Sequence, residues 1–200
     1  MLTKPNFLRL FTYIVFFAAA LYFPVRTVLN FERPAVPPVE MRFKLRAYDP
    51  YDPMRGHYLQ LNVDCPAEIR MEQNEYFDHY NLKYAAELKP GPDGFAVATG
   101  LFPVGKTPKG ALFVKGVKIP GAWVKGASDR IVKRVEMPFD RFYLNEPLAK
   151  PAEKLLGEVT RDPKRSAVLV VDIHRDGSWA VKELLVDGKP IREALRAAAK

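Results

Sequence analysis

Cysteine is nearly missing: Cys65 is the only one in 200 residues. No intrachain disulfide can form, so packing must hold the fold, and cysteine usage names no compartment. Histidine is also sparse. His57, His79 and His174 lie on separate segments, without the H-x-x-x-H or H-E-x-x-H spacing that brings two imidazoles to one metal. The serines are Ser128, Ser166 and Ser178, and none stands in G-x-S-x-G. Ser128 lies near Lys125, the composition of a Ser-Lys dyad, but a basic loop beside a polar residue is the plainer account. Cys65 precedes Pro66 at an expected strand end and reads as a core or edge thiol. There is no internal repeat and no low-complexity tract. No catalytic residue, metal ligand or cofactor is assigned on these grounds.

Apolar residues are plentiful, at 48% of the chain, enough for a real core. The length suits one domain plus an extra segment. Net charge is +8, of which Lys4 and Arg9 contribute two. That balance suits an anionic membrane surface or an acidic partner. The Lys and Arg residues are spread rather than clustered, so a nucleic-acid partner is not expected.

Residues Leu10 to Val25 carry no charge. Sixteen helical residues span about 24 Å at ~1.5 Å per residue, against a hydrocarbon core about 30 Å thick. Extension back to Phe7 closes the gap, with Arg9 reaching the headgroups. Tyr13 and Tyr22 suit the two interfaces, and Pro24 lies near the end. A retained single-pass anchor is the preferred reading. Ala18-Ala19-Ala20 offers a signal-peptidase-like site, but the apolar run continues through Leu21, Tyr22, Phe23 and Val25. The expected organisation is a short tail over 1–9, an anchor over 10–25, a Pro-rich linker over 26–40 and a β-rich domain over 41–200.

The most informative stretch is Asp49 to Val63, DPYDPMRGHYLQLNV. Asp49-Pro50 and Asp52-Pro53 are extended or turning, because proline restricts its own φ and that of the residue before it. Asp side chains fix such turns through nearby N–H groups. Gly56 suits a positive φ or a close backbone approach. Thereafter the period is two: Leu59, Leu61 and Val63 on one face, Tyr58, Gln60 and Asn62 on the other, a half-buried strand.

Gly56-His57-Tyr58-Leu59-Gln60-Leu61-Asn62-Val63 resembles the signature of the GDYXXLXY family of bacterial membrane-anchored proteins. Asp52-Pro53-Met54-Arg55 resembles that family's DPxR lead-in. The chain departs from the pattern at His57, where the family has Asp, and at Val63, where it has Tyr. The resemblance extends weakly through Arg141-Phe142-Tyr143 and the final hairpin. It implies an exported domain and carries no assigned activity. Family members often lie beside multi-spanning membrane proteins, which implies an integral membrane protein as partner.

Strand signals recur at Met41–Ala47, Tyr58–Val63, Leu82–Leu88, Phe95–Leu101, Ala111–Ile119, Arg130–Met137, Ala167–Ile173 and Ser178–Val186. Pro90-Gly91-Pro92-Asp93-Gly94 and Arg175-Asp176-Gly177 are hairpin turns, and Asp187-Gly188 turns the chain again. Pro66 is expected to close its strand, and Glu68–Asn81 reads as a short helix or a loop. Glu146–Val159 is a helix capped by Asn145, with Pro147 in its first turn and Pro151 as an alternative start. Ile191–Ala199 is a short terminal helix. The expected fold is mainly β: an antiparallel barrel or sandwich of about eight strands with one or two short helices, after an N-terminal transmembrane helix.

Gly100-Leu101-Phe102-Pro103-Val104-Gly105-Lys106-Thr107 matches G-x-x-x-x-G-K-T. A phosphate loop needs a helix starting at the Lys-Thr end. Pro108, Lys109 and Gly110 follow instead, so a hairpin loop and no nucleotide are expected.

The candidate binding residues are Asp49, Asp52, Arg55, Gly56, His57, Tyr58, Arg141 and Tyr143. Asp49 and Asp52 serve as turn residues more readily than as an acid–base pair, and Arg55 is placed to pair with Asp52. Arg141, Tyr143 and Glu146 form a second polar-aromatic cluster. If their strand neighbours the Tyr58 strand, the two clusters make one binding rim. The expected role is a non-enzymatic accessory to an integral membrane protein at the inner membrane, single-pass, with the C-terminal domain periplasmic. The alternatives are an envelope hydrolase using Asp49, Asp52 and His57, and a small-ligand-binding β-barrel.

Overall fold

A computed structural model describes residues 4–32, 36–46, 58–72, 84–119 and 129–198. The chain divides into two compact units, Met1–Pro37 and Pro38–Lys200.

The first unit contains helix α1, Lys4–Glu32. Its stretch Phe11–Leu29 has a mean hydropathy of 1.6, long and apolar enough to cross a membrane. Large side chains such as Phe16 and Phe23 project outward, as a surrounding apolar solvent would favour. The helix passes through Pro24 instead of ending near it, and takes up much of the interval expected as linker. Near this proline, Thr27 Oγ1 donates to Phe23 O (2.9 Å), a side-chain bond typical of long apolar helices.

The second unit is mainly β. Its strands are β1 Val39–Leu45, β2 Tyr58–Gln60, β3 Val63–Glu72, β4 Tyr84–Pro90, β5 Ala96–Pro103, β6 Phe113–Val117, β7 Asp129–Val135, β8 Arg141–Tyr143, β9 Ala167–Ile173, β10 Trp179–Val186 and β11 Lys189–Pro190. Helices α2, Glu146–Arg161, and α3, Ile191–Ala198, complete it. Nine strands form one sheet in the order β11-β10-β9-β1-β3-β5-β4-β6, with β7 branching from β3; β2 and β8 form a separate ribbon.

The expectation of an antiparallel barrel or sandwich holds only at its coarser level. β3 and β5 pair in parallel at Ala67↔Ala98, so the sheet is mixed. A single bridge, Lys118↔Glu136, is the one link among the described residues between the ends of β6 and β7, so no ladder closes a barrel.

Three local expectations are also corrected, one being Glu68–Asn81 as a short helix or loop: its described part, Glu68–Glu72, continues β3. Pro66 does not close its strand. It lies inside β3, exposed, where the register against β7 shifts between Pro66 and Ile69. A bulge has a position that donates no ladder hydrogen bond, which proline tolerates. The run through Val63 is likewise not one strand. It breaks at Leu61 and Asn62, where the chain leaves β8 for β1: Leu61 N donates to Asp140 O (2.7 Å) and Arg46 N donates to Asn62 O (2.8 Å).

α2 starts after Asn145 as expected, but the Asn145 side chain makes no capping hydrogen bond, and Pro151 lies within the helix rather than starting a second one. α2 buries Ala152, Leu155, Leu156 and Val159, spaced at three and four residues, and α3 buries Ile191 and Leu195. One apolar cluster joins these to the inward residues of β1, β3, β9 and β10. Among the described residues no charged side chain is fully buried.

The β9–β10 turn docks on β6. Lys115 N donates to Gly177 O (3.1 Å). Gly177 is buried at φ +81°, and a Cβ there would lie 2.4 Å from Phe113 Cε2. Gly94 shares the positive φ (+79°) but has open space around it. Gly177→Ala should therefore cost about 2–4 kcal/mol, strain and overlap together, and Gly94→Ala only about 1–2 kcal/mol. Thermal unfolding of the full chain in detergent should show roughly a 5–15 °C loss for the first. Equal losses for both variants would mean that the turn does not dock.

Candidate functional site

β2 and β8 pair antiparallel, with Tyr58↔Tyr143, Leu59↔Phe142 and Gln60↔Arg141. The Tyr58 strand and the Arg141–Tyr143 strand are thus neighbours, as the expected rim requires, while the rest of the first cluster lies outside the described residues. Leu59, Leu61 and Leu144 are buried, and Phe142 packs against the core. Period two then sends Tyr58, Gln60, Arg141 and Tyr143 to the other face. The hydrogen bond from Leu61 to Asp140 fixes the alternation, so Tyr58–Tyr143 is a non-hydrogen-bonded pair, whose side chains approach most closely. Their ring centroids are 5.9 Å apart. Arg141, diagonal to Tyr58, lies with its guanidinium carbon 5.0 Å from the Tyr58 ring centroid. Arg141 Nε is also 3.7 Å from Asp140 Oδ1. Tyr143 remains 67% exposed, high for an aromatic side chain.

The ribbon borders two grooves. One, of about 650 Å³, is lined by Pro138–Tyr143, Trp179, Val181, Lys182 and Arg192. Two of its lining residues, Phe139 and Trp179, meet at 5.3 Å between centroids, and Phe139 in turn packs on the buried Phe43 at 4.9 Å. The other, of about 480 Å³, runs from Gln60–Val63 to Lys118, Glu136 and Asp140. Lys182 Nζ donates to Glu40 Oε2 at 2.8 Å. This bond holds the Glu40 carboxyl below its ordinary range and raises Lys182.

Of the expected residues, Tyr58, Arg141 and Tyr143 come together. Asp49, Asp52, Arg55, Gly56 and His57 lie outside the described residues, and so does the hydrolase set Asp49, Asp52 and His57. Trp179, Lys182 and Arg192 were missed by sequence reasoning. Alternation places Trp179 and Val181 on one face of β10, but no sequence pattern announces that Pro138–Tyr143 crosses that face.

The remaining candidates have structural roles. The Gly100–Thr107 string ends β5 and turns, with Lys106 N donating to Pro103 O (3.0 Å); β6 follows, not a helix. Ser178 Oγ donates to Asp176 Oδ1 (2.6 Å), and Ser178 N donates to the same oxygen (2.9 Å), a turn motif that holds the Asp176 carboxyl down. Cys65 is fully buried, and burial pushes its thiol up to about 12. Among the described residues no group of three or more His, Cys, Asp or Glu side chains could hold a metal ion.

The family model described as GDYXXLXY protein matches residues 27–184. The chain belongs to the GDYXXLXY family. The matched span contains both strands of the ribbon and, apart from Arg192, every residue of the larger groove. No curated protein and no solved structure matches the chain.

The two faces of this GDYXXLXY ribbon should respond differently to truncation. Leu59→Ala should cost about 2–5 kcal/mol; Arg141→Ala should cost at most about 1 kcal/mol, since its partners are an exposed carboxylate and a ring. Denaturant melts of the full chain check this, and a large loss at Arg141 would make it a structural residue. Cys65 should resist a thiol reagent at pH 8 in the folded protein and react at once in denaturant. Fast native labelling would show that the thiol is not in the core.

Proposed function

We propose that this protein is a non-enzymatic envelope module, anchored by α1 in the inner membrane with its β domain in the periplasm, and accessory to an integral membrane protein. The observation that carries this reading is the Tyr58–Arg141–Tyr143 cluster, in which Arg141 and Tyr143 are exposed and Tyr58 is half-buried. Its backbone is fixed by buried leucines, so its aromatic and cationic groups are preorganised. Tyrosine and arginine are enriched among the side chains that dominate protein interfaces: tyrosine buries much area for few rotors lost, and arginine offers a planar fork of donors. The apolar length of α1 supports the anchor, and the family resemblance supports export and a multi-spanning neighbour.

A photoreactive residue at Tyr143 should crosslink one integral membrane protein in native membranes. The same probe at the exposed Glu153 of α2 should give no such adduct, and Arg141→Glu should abolish it. Absence of an adduct, or equal adducts from both sites, would refute the accessory role. The mature protein should keep its full mass in membranes; a loss of about twenty residues would mean a cleaved signal. Protease added to spheroplasts should degrade the domain, and full protection would invert the topology.

A further inference from the structure

The larger groove follows a strand edge that no described strand covers. β10 pairs with β9 along its length, but β11 covers only Leu185 and Val186 on its outer side. Trp179–Lys182 therefore lacks an outer ladder partner among the described strands. The bond from His174 N to Ser178 O (2.9 Å) sets the alternation in the hairpin. By that alternation the N–H and C=O groups of Trp179 and Val181 point outward, away from β9. Lys182 lines the groove together with Trp179 and Val181, although its side chain crosses the opposite face to Glu40. No β9 residue lines it. The groove thus wraps the outer edge of β10.

An open edge is usually guarded by a bulge and a lysine that reaches over it. β10 has the bulge, between Val181 and Glu183. The lysine is drawn aside: Lys182 is tied at 2.8 Å to Glu40 of β1, two strands inward. The wall opposite, β8, pairs only with β2 among the described strands, and its Arg141 is diagonal to Tyr58 at the rim. Arg141, Lys182 and Arg192 put three cations on the groove lining against one acid, Asp140, and among the described residues Lys182 alone is tied to a carboxylate off the lining, Glu40.

We infer that an extended, acidic segment of the partner polypeptide adds to the Trp179–Val181 edge of β10 as a further strand. Its main chain bonds Trp179 and Val181, its apolar side chains meet Trp179, and its carboxylates meet Arg141 and Arg192. This deepens the accessory reading and rests on it. Main-chain bonds supply sequence-tolerant affinity, and the two arginines select for acidic residues. The flat edge is short, so the complex is weak and reversible.

The test uses the full chain in zwitterionic nanodiscs and a fluorescein-labelled heptapeptide alternating Glu and Val, read by anisotropy. The Glu–Val peptide should bind. Its Lys–Val counterpart, and a form N-methylated along one edge, should each bind about tenfold more weakly or worse. Val181→Pro removes an outward N–H at an edge position that tolerates proline. It should give the same loss with far-UV dichroism unchanged, as should Arg141→Glu with Arg192→Glu. Undiminished binding by peptides N-methylated on either edge would overturn the added strand, whether or not the proline variant folds. Equal binding of the Lys–Val peptide would overturn the acidic preference. Phosphatidylglycerol vesicles that displace the peptide and bind through the same two arginines would assign the groove to lipid and overturn the proposal. A Tyr143 crosslink without peptide binding sinks the added strand alone, and peptide binding without a crosslink sinks the accessory reading.

Discussion

The burial of Leu59 and Leu61 is the constraint on which the surface around Tyr58 depends. A one-residue slip between β2 and β8 would expose both leucines and bury Tyr58 and Gln60. Exposing a buried leucine costs about 1.5–3 kcal/mol, so a slip forfeits several. The surface contacts of the ribbon cannot compete. The Arg141–Asp140 pair and the Arg141–Tyr58 contact are exposed and worth at most about 1 kcal/mol each. Core burial therefore sets the register, and the aromatic-cationic face is its consequence. Such a face is free to be selected for binding, because changing it leaves the register intact.

A second constraint comes from Phe139. It is 1% exposed and touches Phe43 of β1 on one side and Trp179 of β10 on the other. Edge-on aromatic contacts of this kind add about 0.5–1.5 kcal/mol each beyond their buried area. They pin the segment before β8 across the inward face of the sheet. Phe139 thus belongs both to the core and to the groove lining, which is why the base of the groove is apolar while its rim is charged. The same segment hands Asp140 O to Leu61 N, so one short stretch fixes both the groove and the ribbon register.

Periodicity, caps and turn residues located eight of the strands, both helices of the β domain and the main turns. Those elements declare themselves locally. Gly91 N bonds Phe95 O at 2.7 Å where Pro-Gly-Pro-Asp-Gly had marked a turn, and Asp187 and Gly188 both take positive φ where Asp-Gly had marked another. What escaped was decided elsewhere in the chain. β8 has three residues and no pattern of its own; it is a strand because β2 lies beside it. Pro66 reads as a breaker until its position at the β3–β7 bulge is known. The parallel β3–β5 contact arises from the order of non-neighbouring strands, which alternation cannot report. The candidate site divides the same way. Tyr58, Arg141 and Tyr143 were found through the signature and residue type, whereas Trp179, Lys182 and Arg192 join them only through tertiary packing.

The ion pair beside the groove holds both of its groups charged. Acid–base chemistry needs a cleft group tuned toward neutral pH, often with a second group driven the opposite way. Beside the groove, the bond between Lys182 and Glu40 raises the amine and lowers the carboxyl. Both shifts move away from neutrality, so both groups stay charged across the physiological range. The carboxyls of Asp93 and Asp187 are lowered in the same sense, chiefly by hydrogen bonds from Lys44 and from Ser166 N–H. The folded state gains from each of these carboxylates above its unfolded pKa and loses that gain as pH falls through the lowered one. Cys65 is shifted the other way by burial, which keeps the thiol protonated and away from any cleft. Groups held in one charge state make good fixed landmarks for a partner and poor proton shuttles. Lys182, tied to Glu40 at 2.8 Å, is one such fixed charge.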